Sequence, residues 1–371
     1  MTNSVVRKPF YADFSVTSRC NLNCDFCSAS APDIKNNINF LELSDIDRIF
    51  MQLDELEVMR VSLEGGEPFL RSDFLEIMKL ADKYDFEYYV NTNATLINKE
   101  IAKQISETNV SKICISIDGP DESIHDKCRG QLGAFNKTVK AIRNLHEFNI
   151  PVDGIITLTK YNAPYVLETI QFIAEMGIEN VAIMLLASVG NASENFSDVY
   201  LDFDEWSAIL LELTTLKKNH ALPVNLNIVS TGESKCPWEL YLPLLNNGRE
   251  DDIDVWIRND AETTFDEHEF FCTAGKDNLA IDGKGNVYGC SLMISENELS
   301  AGNLLDKSLL EIWNYSEIFN LFRTASINNI TGACRNCDLL NKCGGGCRAC
   351  AFAMNKSIYH SDTRCPKGVL V

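Results

Sequence analysis

The sequence predicts an α/β fold in which helices cover the outside of a parallel sheet. Over residues 10–190, short apolar runs of strand length alternate with amphipathic helical patterns. Polar residues and glycines follow several of these runs, and in parallel sheets the carboxyl ends of the strands bind ligands. Six such units are too few for a closed eight-stranded barrel. The predicted strands are Tyr11–Val16, Met59–Leu63, Tyr88–Asn91, Ile113–Ile117, Val152–Leu158 and Val181–Leu185.

The segments between these strands place apolar residues on one helical face. Ser44 and Asp47 have the spacing of a capping box at the start of the first predicted helix. Asn162 is a candidate cap for the last one, and Gly177 is expected to end it. The predicted helices of this part are Ser44–Leu56, Ala134–Phe148 and Ala163–Met176.

Composition narrows the class of protein. The 371 residues are 45% hydrophobic and 23% charged, which is enough apolar material for a large core. A formal net charge of −20 argues against a nucleic-acid or anionic-membrane surface. No apolar run approaches the ~20 residues that span a bilayer, and the N-terminus lacks an apolar signal core. We therefore expect a cytoplasmic protein, and for its 14 cysteines metal binding is a better interpretation than disulfides.

The first cysteine cluster directly follows the first predicted strand. Cys20, Cys24 and Cys27 have the spacing C-x3-C-x2-C. A loop of this kind can direct three thiolates to one [4Fe–4S] cluster and leave its fourth iron open to another ligand. Zinc would require a fourth Cys or His nearby, and the next cysteine is Cys114.

A second cysteine array fills the C-terminal part. A predicted hairpin, with strand Asn278–Ile281 and a glycine turn, lies between its first two cysteines, and a helix is predicted at Leu309–Phe322. A zinc ribbon formed by the four closely spaced cysteines would leave the other three unexplained. The array consists of Cys272, Cys290, Cys334, Cys337, Cys343, Cys347 and Cys365.

These two arrays resemble those of the radical SAM enzymes that carry a C-terminal SPASM domain. The first has the family's aromatic residue before its third cysteine, here Phe26. The second matches C-x9–15-G-x4-C, C-x2-C-x5-C-x3-C and a final cysteine, with Gly285 as the glycine. The resemblance implies a partial (β/α)6 TIM barrel at 10–200, a bridging region at 201–271 and a SPASM domain at 272–371.

The resemblance also implies three [4Fe–4S] clusters. Cys20, Cys24 and Cys27 would hold the cluster that binds S-adenosylmethionine (SAM). The first auxiliary cluster would lack an obvious fourth thiolate; Cys236 and Cys350 are candidates, or the site stays open for substrate. Its expected ligands are Cys272, Cys290 and Cys347, and those of the second auxiliary cluster are Cys334, Cys337, Cys343 and Cys365.

The residues expected to contact SAM follow the predicted strands. The segment Glu64-Gly-Gly-Glu-Pro68 resembles the family's Gly-Gly-Glu segment, which holds the amino end of SAM. Arg129 would pair with the carboxylate of SAM, for which a guanidinium has suitable donors, whereas His125 reads as a local turn partner. Ser116 and Asp118 would lie near the ribose, and Met184 or Leu185 would pack on adenine. The remaining expected contacts are Gly65, Gly66, Glu67 and Asn93.

The family's chemistry implies the activity. An electron from the first cluster would cleave SAM, and the 5′-deoxyadenosyl radical would remove a hydrogen atom from a substrate C–H. A peptide is the expected substrate; the alternatives are a tetrapyrrole, or a non-catalytic iron–sulfur electron carrier or scaffold. Expected partners are flavodoxin or ferredoxin and, since few residues precede the first strand, a separate leader-peptide-binding protein. Sulfatase-maturing relatives place Asp after the equivalent of Cys290, but this chain has Ser291, so no catalytic base can be named.

Overall fold

One ten-stranded sheet organises the molecule. The computed structural model describes residues 7–29, 41–229, 237–257 and 269–368. The strand order in the sheet is β10-β9-β8-β1-β2-β3-β4-β5-β6-β7. The strands are β1 (Tyr11–Thr17), β2 (Arg60–Gly65), β3 (Glu87–Thr92), β4 (Ile113–Ser116), β5 (Val152–Leu158), β6 (Asn180–Leu185), β7 (Asn225–Val229), β8 (Asn278–Ile281), β9 (Asn286–Tyr288) and β10 (Gly302–Asn303).

The predicted α/β fold is confirmed, with strands β1 to β6 parallel and adjacent in chain order. Two further parallel strands extend this set, since β7 pairs with β6 and β8 pairs with β1. The hairpin strands β9 and β10 continue the sheet in antiparallel fashion. In the described chain β7 and β10 are the two edges, so the sheet is an open, partial barrel. The same sheet also continues across the predicted boundaries near residues 200 and 272.

The helices of the barrel lie between its strands, and none of the described helices is long and apolar enough to cross a membrane. The α-helices are α1 (Leu43–Glu55), α2 (Phe74–Ala81), α3 (Lys99–Ile105), α4 (Glu122–Arg129), α5 (Ala134–Glu147), α6 (Val166–Glu175), α7 (Asn191–Glu194), α8 (Phe196–Val199), α9 (Phe203–Lys218), α10 (Trp238–Asn246), α11 (Leu309–Tyr315), α12 (Glu317–Thr324), α13 (Leu340–Cys343) and α14 (Arg348–Asn355). Short 3₁₀ segments are Pro68–Leu70, Ala163–Tyr165, Glu250–Val255, Ser291–Met293, Asn297–Leu299, Ile327–Asn329 and Gly332–Asn336.

Strand alternation divides the sheet into an apolar outer face and a polar inner face. On β1, Ala12, Phe14 and Val16 belong to the main apolar core with the helices. Because successive side chains of a strand point to opposite faces, Asp13 and Ser15 point to the other side, which is the lumen of the barrel. The core therefore fixes which residues of each strand can face a substrate.

Three local predictions were wrong. The capping box of α1 is formed by Glu42 and Asp45, two residues earlier than predicted. Asn162 does not cap a helix; its side-chain oxygen accepts a 2.8 Å hydrogen bond from the backbone N–H of Thr159. The predicted helix Leu309–Phe322 is two helices, because Ser316 ends α11 and its hydroxyl caps α12. The expected stop at Gly177 is confirmed by its left-handed φ of 81°.

Candidate functional site

The site lies at the carboxyl edge of β1 to β6, where polar residues from separate parts of the sequence meet. The cysteine loop follows β1, and Gly65 is the last residue of β2. Asn93 directly follows β3, and Ser116 is the last residue of β4. Parallel strands bring these ends together at one edge, as is usual for ligand sites in α/β sheets.

The three cysteines of the loop lie close enough to affect one another's ionisation. Burial raises the pKa of the Cys20 thiol to about 12, and the charges of Cys24 and Cys27 add to this effect. Burial also raises the pKa of Cys24 to about 11, against the opposing charge of Arg129. The backbone N–H of Cys27 donates to the Cys24 carbonyl oxygen at 3.2 Å. The loop thus brings three partly buried thiols near one another.

The Gly-Gly segment after β2 packs directly against the cysteine loop. The backbone N–H of Gly66 donates to the Thr17 carbonyl at 2.8 Å, and that of Glu67 donates to the Arg19 carbonyl at 2.6 Å. A Cβ on Gly66 would lie 2.2 Å from the Arg19 oxygen, and one on Gly65 would lie 2.3 Å from the Thr17 oxygen. These positions therefore require glycine because two backbones touch here.

The Glu67 carboxylate is buried and fully engaged within the protein. One of its oxygens accepts hydrogen bonds from the Thr92 hydroxyl at 2.7 Å and the Phe69 N–H at 3.1 Å. The other accepts from the Asn93 N–H at 2.8 Å. Burial raises the pKa of Glu67 to about 7, and these hydrogen bonds oppose the rise. The carboxylate ties the end of β2 to the end of β3, and the Asn93 amide reaches Asn21 of the cysteine loop at 3.0 Å.

Asp118 and Arg129 form a buried ion pair beside the cysteine loop. Arg129 Nη2 lies 2.7 Å from Asp118 Oδ2, and the other Asp118 oxygen accepts the Thr157 N–H at 2.8 Å. The short Nη2–Oδ2 contact is not directed as a hydrogen bond. Nε and Nη2 of Arg129 and Oδ2 of Asp118 are therefore buried without a hydrogen-bond partner among the described residues. Buried donors of this kind are normally satisfied, so this pair has the chemistry of a site for an absent anionic group.

His125 supports Asp118, in agreement with its predicted local role. Its ring Nδ1 accepts a 3.2 Å hydrogen bond from the Asp118 N–H, and its side chain packs edge-on against Phe135. Burial, with the nearby charge of Arg129, lowers the pKa of His125 to about 3. The ring is therefore neutral in the folded protein at all ordinary pH values.

We expect this neutral His125 to make the protein less stable in acid. The unfolded chain binds a proton near pH 6.5 and the folded chain does not, so the free energy of unfolding should fall between about pH 6.5 and pH 3 by about 1.4 kcal/mol per pH unit. His125→Asn keeps a hydrogen-bond acceptor and should lack this slope. His220→Asn, at an exposed position, is the control. Denaturant unfolding at several pH values measures the slopes, and equal slopes in wild type and His125→Asn would contradict the assignment.

Met184 and Leu185 lie on opposite faces of β6. Met184 is exposed on the face opposite to the buried Ile183. Leu185 instead lines a cavity of about 440 Å³ together with Trp206 and Trp238. Alternation along the strand thus places only Met184 on the lumen side.

Residues 190–195 clamp the cysteine loop, which was not predicted from the sequence. The Asn191 N–H donates to the Cys27 carbonyl at 2.9 Å. The Asn191 side chain reaches the Cys24 carbonyl at 3.3 Å, and that of Asn195 reaches the Asp25 carbonyl at 3.1 Å. The two side-chain contacts join residues that are more than 160 positions apart in the sequence, and no local spacing predicts them.

The C-terminal cysteines separate into two groups. Cys272, Cys290 and Cys347 form the first group: burial raises the pKa of Cys290, and the charges of the other two add to the rise. Cys347 begins α14, where its sulfur accepts a hydrogen bond from the Cys350 N–H. Cys350 is completely buried against Cys347. The candidate ligand Cys236 lies outside the described residues.

The second group lines a single cavity of about 430 Å³. Trp238 and Tyr241 of α10 cover its other walls. In the described chain no three Cys, His, Asp or Glu side chains converge tightly enough for a single metal ion. A four-iron cube holds its thiolates farther apart, so a shared cavity is the relevant test. The cysteines that line the cavity are Cys334, Cys337, Cys343 and Cys365.

An open barrel with three clustered cysteines at its carboxyl edge and a cysteine-rich extension defines an iron–sulfur enzyme of the SAM-dependent kind. Comparison with family models agrees, since residues 14–173 match the radical SAM superfamily. Residues 272–338 match SPASM, an iron–sulfur cluster-binding domain. The chain is a radical SAM enzyme with a SPASM domain, which replaces the alternative of a non-catalytic carrier.

The named proteins to which this chain is similar include AdoMet-dependent heme synthases and mycofactocin maturases. An AdoMet-dependent heme synthase from Oleidesulfovibrio alaskensis is 28% identical over 355 residues, which cover 95% of this chain and 86% of the relative. The mycofactocin maturase MftC of Mycolicibacterium smegmatis is 25% identical over 361 residues, which cover 97% of this chain and 83% of the relative.

A solved structure is similar in fold. Streptococcus suis SuiB bound to the precursor peptide SuiA has a TM-score of 0.76 at 20% identity. The match covers 97% of this chain and 76% of that chain. At this identity the likeness establishes the fold.

Proposed function

We propose that the chain modifies a C–H bond of a peptide, with SAM bound at a cluster held by Cys20, Cys24 and Cys27. The three partly buried thiols of this loop fit a cluster with one open iron. When bound, that cluster supplies the electron that cleaves SAM to the 5′-deoxyadenosyl radical, which abstracts the substrate hydrogen. Flavodoxin or ferredoxin is the proposed electron source.

The residues at the carboxyl edge have the chemistry to hold SAM. Arg129 is paired with Asp118, but two of its buried donor atoms, Nε and Nη2, have no hydrogen-bond partner in the described chain, which suits the carboxylate of SAM. The Gly65–Glu67 backbone would face the amino end, while the Glu67 side chain holds the segment in place. Asn93, Ser116 and Asp118 line the same edge, Met184 is the candidate for adenine, and Leu185 would contribute only from behind β6.

The C-terminal groups fit two auxiliary [4Fe–4S] clusters. The first would be held by Cys272, Cys290 and Cys347. Cys350 interacts with Cys347 and with Arg364 in the core, so we assign it a packing role. The second auxiliary cluster would occupy the cavity that is lined by Cys334, Cys337, Cys343 and Cys365.

The lumen beneath the SAM site is the observation that favours a peptide. It presents the carboxyl groups of Asp13 and Glu64, whereas two nearby cations are already neutralised. Lys112 lies 2.6 Å from Asp153, and Arg129 is paired with Asp118. A tetrapyrrole with several carboxylates would gain no unpaired cation from these two pairs, whereas a peptide offers N–H donors to the two carboxyl groups. A separate protein would present the peptide's leader.

Tetrapyrrole side-chain modification is the second candidate, because the heme synthase relative is 28% identical and the maturase is 25% identical. Its substrate would need cations that the described lumen holds in ion pairs. A pigment with Soret absorption that co-purifies with the protein would favour this candidate.

The two candidates can be separated with reconstituted enzyme under anaerobic conditions. The enzyme receives SAM, dithionite and either a synthetic candidate peptide, chosen from any short reading frame beside its gene, or an iron porphyrin with propionate side chains. We expect 5′-deoxyadenosine in both reactions and a mass change only in the peptide. A mass change only in the porphyrin would reverse the preference, and reconstituted protein that forms no 5′-deoxyadenosine would contradict the activity itself.

A further inference from the structure

Two carboxyl groups lie together in the lumen, on neighbouring strands. In the register of β1 and β2, Asp13 is opposite Ser62, and Ser15 is opposite Glu64. Asp13 and Glu64 are therefore diagonal neighbours on the same face of the sheet. Glu64 directly precedes the Gly65–Gly66 segment, so its carboxyl group lies between the lumen and the candidate SAM site.

Asp13 is held from two directions. One of its oxygens accepts the Tyr11 hydroxyl at 2.5 Å, and Tyr11 in turn contacts the Tyr89 hydroxyl at 2.8 Å. On the other side, the hydroxyl and backbone N–H of Ser291 approach it. Ser291 directly follows Cys290, so Asp13 connects the lumen to the cysteine-rich domain. Its side chain is 8% exposed and is committed to this network.

Only one oxygen of the Glu64 carboxyl group accepts hydrogen bonds from the described chain. Its Oε2 accepts hydrogen bonds from the Asn91 amide at 3.0 Å and the Ser62 hydroxyl at 3.4 Å. Its Oε1 has no hydrogen-bond partner among the residues that the structure describes, and the side chain is partly exposed to the lumen. Asn91 Oδ1 beside it is buried and also accepts nothing from the described chain. Two neighbouring acceptors without donors indicate a place for a group that carries hydrogen.

We propose that Glu64 is the proton acceptor of the reaction, with an N–H, O–H or S–H group of the substrate as the donor. In this step the heteroatom–hydrogen bond of the substrate breaks and an O–H bond forms at Glu64 Oε1. The electron pair of the broken bond stays on the heteroatom, so no oxidant is needed. Asn91 Oδ1 would accept a second hydrogen from the same group. This inference rests on the lumen being the substrate site of the proposed function.

The electrostatics of the lumen suit this task. Burial raises the pKa of Glu64 to about 8, and the nearby charge of Asp13 adds to the rise. Other titratable groups around this network are Tyr11 of β1, Tyr89 of β3, Cys114 of β4, which acts on Tyr89, and Cys290, on which the charge of Asp13 acts. A general base works best when its pKa lies near the working pH. An ordinary exposed Glu, with a pKa near 4.3, would be a much weaker base.

The first experiment needs no substrate. The full-length reconstituted protein is treated anaerobically with N,N′-dicyclohexylcarbodiimide, an apolar reagent that attacks protonated carboxyl groups, and the modified residue is located by mass spectrometry. We expect modification at Glu64 at pH 6.5 to 7, with at least tenfold less above pH 9. The fully buried and engaged Glu67 should stay unmodified. A Glu64 that does not react at either pH would overturn the proposal.

The second experiment measures turnover of the candidate peptide used in the preceding subsection. Glu64→Gln should lower product formation by at least 100-fold, the usual contribution of a general base being about 10²–10⁴. Glu64→Asp should recover part of the loss, and the rise of the wild-type rate with pH through about 8 should disappear in Glu64→Gln. Glu87→Gln, on the exposed side of β3, is the control.

The outcomes separate the two proposals. If the wild-type enzyme modifies the peptide and Glu64→Gln modifies it equally well with the same pH profile, the role of Glu64 is wrong and the proposed function stands. If the wild-type enzyme modifies no peptide, the proposed function is wrong, and the carbodiimide result still decides whether Glu64 holds a reactive proton in the lumen.

Discussion

Gly190→Ala is expected to lose the cluster at Cys20, Cys24 and Cys27 while keeping the rest of the protein folded. A Cβ at this position would lie 2.4 Å from the Ser28 carbonyl oxygen and 2.6 Å from that of Cys27. Both obstacles are backbone atoms, so the loop itself must move. Gly190 also has φ +58° and ψ −142°, a backbone conformation that costs an alanine about 1–3 kcal/mol.

Movement of the cysteine loop should affect cluster binding and SAM cleavage as well as the local backbone. Gly190 begins the clamp in which Asn191 and Asn195 hold the carbonyls of the cysteine loop. A displacement of about 1 Å at a reacting centre can lower the rate about 100-fold. We expect the iron content to fall by the iron of one cluster, and 5′-deoxyadenosine formation to fall at least 100-fold.

Gly248→Ala is the matched control for this experiment. The φ of Gly248 is +65°, so a positive φ strains the alanine backbone there too, but the added Cβ would meet open space. This variant should lose some stability and retain all of its iron. If Gly190→Ala also retains all of its iron and cleaves SAM normally, the clamp is not needed to hold the cysteine loop.

The strands of the barrel could be predicted because burial on the outer face imposes a regular apolar pattern. Val152–Leu158 and Asn278–Ile281 were located without error. The division of the C-terminal cysteines into two ligand sets stays a prediction, and the structure places Cys272, Cys290 and Cys347 near one another and the other four around one cavity. Both signals are local in sequence, or repeat a spacing that a cluster of fixed size requires.

What could not be predicted depends on contacts between distant segments. No role of its own was predicted for Glu64 from the sequence, and its position in the lumen follows only from the register that sets it beside Asp13. The clamp at Asn191 and Asn195 depends on the chain returning to the cysteine loop after β6. The position of a cap, as at Glu42, depends on where tertiary packing lets the helix begin.

The most consequential of these distant contacts is the buried cation Arg364. It binds both oxygens of Asp362, at 3.0 and 2.5 Å, and lies 3.2 Å from Glu239 of α10. It also donates to the carbonyl of Leu186 at the end of β6, at 3.2 Å. Asp362 in turn accepts the Cys347 N–H at 3.0 Å. Arg364 therefore links the barrel, the bridging helix and a proposed auxiliary-cluster ligand.

Removing this cation should be among the most damaging single changes in the protein. Burial alone would raise the pKa of Asp362, but Arg364 outweighs it and holds that pKa below its usual value. In Arg364→Met, Asp362 and Glu239 would stay buried without this partner. Breaking a buried pair in this way costs about 3–5 kcal/mol. We expect a loss of that size in the free energy of unfolding, together with loss of iron from the first auxiliary site.

Urea unfolding under anaerobic conditions, followed by tryptophan fluorescence, measures the change, since the Trp238 ring lies 5.6 Å from the Arg364 guanidinium. Arg60→Met is the matched control. It removes the same kind of side chain from the exposed pair with Glu87, in which both side chains are about half exposed, so the change should stay within about 1 kcal/mol. Equal losses in the two variants would contradict the claim that burial makes the Arg364 ion pairs more important for the free energy of unfolding than the exposed Arg60 pair. A selective loss in Arg364→Met, with the iron of the Cys20 site intact, would identify the network as the link between the barrel and the auxiliary clusters.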